Sequence, residues 1–129
     1  MFIRFVSGKV DEDSHVSAGL FRAAYNLMDE VRLSDYEYDL LRALMNWFDD
    51  NLKSPYNYRI KPEGLANRSL CWFKPTAREH LQHAWEIAAI LNERDIVIKL
   101  VKCYKPGYIL YEDEAQVLAY PYADLRRRL

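Results

Sequence analysis

The chain has 129 residues, half of them hydrophobic and 29% charged, with a formal net charge of −1. A chain of that length buries roughly two thirds of its unfolded surface around one core, and the composition excludes a disordered tail or a collagen-like repeat. The small net charge gives no general attraction for nucleic acid, and no apolar run approaches the ~20 residues of a membrane-crossing helix.

The opening "MFIRFV" alternates around Arg4 and predicts a first strand. It is broken by that arginine and has no small-residue cleavage site, so it does not read as a secretory signal. With only two cysteines, Cys71 and Cys103, the expected compartment is the cytoplasm and both thiols are expected reduced. A helix follows: Leu20, Phe21, Ala24, Leu27, Met28 and Val31 recur at helical spacing, and Ser14 or Ser17 can accept the free amides at its start. The second helix is announced by a capping box, Ser34 with Glu37, and by Leu33 placed to staple onto Tyr38. Its expected apolar face is Leu40, Leu41, Leu44, Trp47 or Phe48, and Leu52.

"KSPYNYRIKPEGLANR" carries two prolines, a glycine and no helical period, and reads as a long loop. "SLCWFK" reads as a central strand, ended by Pro75. Thr76 and Glu79 form a second capping box, opening a third helix that runs to about Asn92. "DIVIKLVKCY" is rich in β-branched residues and predicts a strand. "KPG" turns it into "YILYE", and Gln116 to Tyr120 returns as the last strand, leaving Asp113, Glu114 and Ala115 at the hairpin reversal. The cluster of Glu112, Asp113 and Glu114 is therefore expected to be an exposed acidic turn.

These elements predict a single α+β domain over residues 1–129, two-layered, in the order β-α-α-β-α-β-β-β. Its sheet is expected to be mixed, with four to five strands and three helices mainly on one face. The strands flanking the third helix form a β-α-β unit, expected to be parallel with a right-handed crossover. The last three strands are expected to form an antiparallel meander.

Chemistry-bearing patterns are few. His80 and His83 stand three apart on a helix, within reach of a shared metal, but the pattern is not His-Glu-x-x-His and no third ligand is indicated. Neither metal nor cofactor is expected. Cys71 precedes a helix, yet Arg78 is one residue too far for a cysteine-phosphatase loop, and Pro75 removes an amide donor. No dinucleotide, Walker or nucleophile-elbow motif is present.

Two binding patterns remain. Lys74, Thr76, Arg78 and His80 gather where a strand meets a helix start, which attracts anions. Lys102, Tyr104 and Lys105 end the parallel strand at the same edge, where open α/β sheets bind ligands. Tyr56, Tyr58 and Arg59 in the long loop form the aromatic and arginine mixture of protein interfaces. The expectation is a small binding or regulatory domain acting through a protein partner or homodimer. The alternative is an enzyme or sensor for a small phosphorylated or carboxylated molecule at the strand-end crevice.

Overall fold

A computed structural model describes residues 1–10, 17–30, 33–55 and 68–123. Strand β1 (Phe2–Val10) opens the chain, and its alternation divides the molecule. Ile3 and Phe5 pack into the helical cluster, whereas Phe2 packs into a second cluster on the other face of the sheet.

A short strand, β2 (Ser17–Gly19), stands where the sequence suggested the start of a helix. It pairs with β1 through Val6↔Gly19 and Val10↔Ser17. The edge of β1 satisfies backbone groups that a longer helix would have satisfied internally. Helix α1 (Leu20–Met28) therefore starts after Gly19, with no side-chain cap, and not at Ser14 or Ser17.

Helix α2 (Asp35–Asn51) begins as the capping box requires. The Glu37 amide donates to Ser34 Oγ at 3.2 Å, and the Ser34 hydroxyl donates to Glu37 Oε1 at 2.9 Å. Its buried face is Leu41, Leu44, Met45 and Phe48; Leu40, expected inward, is 42% exposed.

Helix α3 (Arg78–Glu93) follows strand β3 (Leu70–Phe73). The expected Thr76–Glu79 capping box does not form, because Thr76 sits inside a turn. The Ala77 amide donates to the Lys74 carbonyl and the Arg78 amide to the Thr76 carbonyl, so helical geometry begins one residue late, behind Ala77.

Strands β4 (Ile98–Cys103), β5 (Tyr108–Glu112) and β6 (Gln116–Tyr120) complete the fold. The sheet runs β4-β1-β3-β6-β5, with β2 sharing one edge of β1 with β3. Every pairing is antiparallel, which corrects the expected mixed sheet. Strands β3 and β4 do point the same way, since each is antiparallel to β1, but β1 lies between them as the middle strand of a split β-α-β unit. The expected three-strand meander reduces to the β5–β6 hairpin, because β4 pairs with β1 at the opposite margin.

The linker from Cys103 to Tyr108 constrains the shape of this sheet. Its five Cα steps reach at most about 19 Å. In a flat sheet the four gaps between β4 and β5, at ~4.8 Å each, would use all of that reach sideways. Strand β4 ends beside Phe2, whereas β5 starts beside Tyr120, at the other end of the strands. The sheet is therefore strongly coiled. Gly107 closes the linker at φ 138°, and a Cβ there would lie 2.0 Å from the Tyr120 carbonyl oxygen.

The helices cover one face, as expected. Leu27, Leu41, Ile87 and Leu91, each at most 2% exposed, pack there with Phe5 and Phe73. On the other face Leu70 and Trp72 meet Val117 and Ala119, with Val101 and Cys103 at the margin.

Candidate binding site at the fork of the sheet

Strand β1 cannot pair with both neighbours on one edge along its whole length. It bridges β3 only at Ile3↔Phe73 and then turns to β2 from Val6 onward. One antiparallel step beyond that bridge sets Arg4 opposite Trp72, and the next sets Phe5 opposite Cys71. No ladder joins these pairs, so the two strands part there.

A cavity of about 360 Å³ occupies the fork. That is more than twice the ~150 Å³ of an apolar cavity that takes benzene, room for a compound of one or two rings. Phe21 of α1 and Met45 and Phe48 of α2 close its helical side, and Phe21, Phe48 and Phe73 meet there edge to face or tilted, with centroids 4.8 to 6.5 Å apart. Phe5 and Phe73 belong to the helical cluster and Leu70 and Trp72 to the opposite one, yet all four line the cavity. The space thus borders residues of both clusters.

Among its polar lining residues Tyr25, Asp49, Lys53 and Ser54 are exposed, whereas Arg4, Trp72 and Gln116 are buried. The Arg4 side chain is 9% exposed, and its Nη2 would lie 3.9 Å from a Cβ added at Gly19, at the start of α1. Trp72 is 1% exposed, and its indole Nε1–H finds no acceptor among the described residues. A buried donor left in that state costs about 1–3 kcal/mol.

Gln116, 2% exposed, is by contrast satisfied. Its amide donates to the Lys53 carbonyl at 2.6 Å and to Asp113 Oδ2 at 3.3 Å, tying the segment after α2 to the hairpin. Asp113 Oδ1 accepts from the amides of Ala115 and Gln116, and Oδ2 from the Tyr111 hydroxyl. Partial burial pushes this carboxyl up, but those donors outweigh it and hold it below the ordinary range. Asp113 is thus the structural fastener of the turn, Glu112 pairs with Lys74, and Glu114 is exposed.

The residues singled out in the sequence lie elsewhere. Phe73 and Lys102 both stand opposite Ile3, so Lys74 and Lys102 mark the same end of the sheet, with β1 between their strands. Lys74 Nζ is engaged by Glu112 Oε2 at 2.6 Å. Thr76, Arg78, Lys102, Tyr104 and Lys105 are exposed at that end. His80 turns towards α2, where its Nε2–H donates to the Asn51 carbonyl at 2.9 Å and its ring lies 4.9 Å from that of Trp47. His83 lies 4.2 Å from the same indole and bonds Glu86 at 3.3 Å, so both histidines join α2 to α3. Among the described residues no three His, Cys, Asp or Glu gather as a metal site. Tyr56, Tyr58 and Arg59 lie outside the described residues.

None of those expected ligand residues lines the cavity, which is walled by residues of the expected strands and helices and, at Lys53, Ser54 and Pro55, of the expected long loop. One signal was present, the arginine in the middle of "MFIRFV". An arginine at an apolar strand's centre is rarely buried without a partner or task. Family models, curated proteins and solved structures offer no match to the chain, so its own geometry is the guide to function.

Proposed function

We propose that the protein is a small-molecule-binding domain, regulatory or sensing in role, whose site is the cavity at the sheet fork. The observation that carries this reading is the cavity itself: a space of about 360 Å³ lined by Phe5, Phe21, Phe48, Trp72 and Phe73 together with the buried Arg4. Binding sites are commonly pre-formed and apolar, with a few polar groups that fix orientation. Both cysteines are free, which fits a cytoplasmic setting, and no described helix is long and apolar enough to cross a membrane. A thermal-shift screen with small ring compounds tests the proposal. Stabilisation should appear in the wild type and disappear when Phe48→Trp fills the cavity. Stabilisation that survives the filled cavity would move the site elsewhere.

A second reading, a homodimer or a protein partner, is favoured by aromatic surface. Tyr36 (77% exposed) and Leu40 (42%) share a stripe of α2, and Trp85 (53%) stands on α3. Aromatic residues are enriched in interfaces. Light scattering at high micromolar concentration decides the homodimeric form: a dimer supports it, and a monomer leaves only a foreign partner.

A further inference from the structure

Arg4 and Trp72 are facing positions just beyond the last β1–β3 bridge, and both wall the cavity. Two residues with donors of different kind therefore line the same space as Phe21, Phe48 and Met45. Trp72 contributes a buried N–H with no acceptor among the described residues. Arg4 contributes a planar cation with five N–H donors, which can serve a ligand alongside protein contacts. Within the cavity, an acceptor that reached both would relieve the indole and gain charge-assisted bonds.

We propose that the occupant of the fork is a ring-bearing carboxylate. The carboxylate bonds the Arg4 guanidinium and the Trp72 indole N–H, and the ring passes through the fork to the phenylalanine wall. This rests on the reading of the cavity as a ligand site and adds the ligand's chemical class. A carboxylate suits the pair because it is planar and offers two oxygens, one for each donor. The volume, more than twice the ~150 Å³ of an apolar cavity that takes benzene, admits one or two rings.

The test compares matched probes on the intact chain by calorimetry: benzoate, phenylacetate and cyclohexanecarboxylate, each beside its primary amide, with inorganic phosphate as a ringless anion. At least one acid should bind roughly tenfold or more tightly than its amide, the worth of a charge-assisted bond over a neutral one, and phosphate should not compete. Trp72→Phe keeps the ring and removes the N–H, and Arg4→Lys keeps the charge and removes the fork; each should erase most of the preference while amide binding stays. Acids and amides binding equally would overturn the carboxylate assignment and leave the cavity reading standing. Binding of none of the ring compounds would overturn both. Competition by phosphate would assign the donors to a ringless anion. The wild-type comparison decides the matter even if a variant fails to fold.

Discussion

At Asp113 one carboxylate closes the hairpin by accepting from two backbone amides and a tyrosine hydroxyl. Because its folded pKa lies below the ordinary value, it adds stability that is fully present above the usual carboxylate range and is lost as pH falls through the folded value. Asp113→Ala should cost about 1–2 kcal/mol in neutral urea titrations, and the deficit should shrink below about pH 4. An acid-independent deficit would contradict the assignment. Gly107 is a second such point. Its positive φ alone makes Gly107→Ala cost about 1–3 kcal/mol, and the contact with the Tyr120 carbonyl adds to that. A variant melting at the wild-type temperature would show that the β4–β5 linker runs differently. Both residues could be read as turn formers in the sequence. The fork pair could not, since nothing local indicates that Arg4 and Trp72, 68 positions apart, face each other.

Among the elements, α2 and α3 are fastened at both ends. His80 donates to the carbonyl of Asn51 at the end of α2. At the start of α2, Glu37 receives a two-pronged bond from Arg94, just past α3, with Nε to Oε2 at 2.9 Å and Nη2 to Oε1. Hydrogen bonds from Arg94 and then Ser34 hold the Glu37 carboxyl below its ordinary range. Arg94→Lys should therefore lose stability despite keeping its charge, and a double-mutant cycle with Glu37→Gln should show coupling that shrinks as salt rises. Additive effects would dismiss the clamp. The sequence showed Ser34 and Glu37 as a local cap but could not show that Glu37 also serves Arg94, because that contact exists only once the helices pack. The marginal strands carry their own safeguards. Lys99 and Lys102 are exposed on β4, and the β5–β6 ladder is irregular between Ile109 and Tyr111. Both are ways of blocking edge-to-edge pairing. Replacing the two lysines by valine should promote association in light scattering, and an unchanged mass would assign the block to something else.

For the whole molecule, element types other than that of β2 were legible in the sequence and neighbourhood was not. Helical spacing in α2 and β-branched runs in β4 are local signals, and both elements form. Which strand lies between β3 and β4 is decided by long-range pairing, and the insertion of β1 there turned an expected mixed sheet antiparallel. That insertion also creates the candidate site, because β1 must share one edge between β2 and β3. The most direct test reads the fork itself. In proton–nitrogen NMR spectra the three tryptophan indoles give separate N–H signals, and titration with phenylacetate should move that of Trp72 downfield as it gains an acceptor. Those of Trp47 and Trp85 should stay in place. Movement confined to Trp47, Trp85 or the amides around Lys74, Arg78 and Lys102 would place the ligand at the helices or the sheet end, and would contradict a site at the fork.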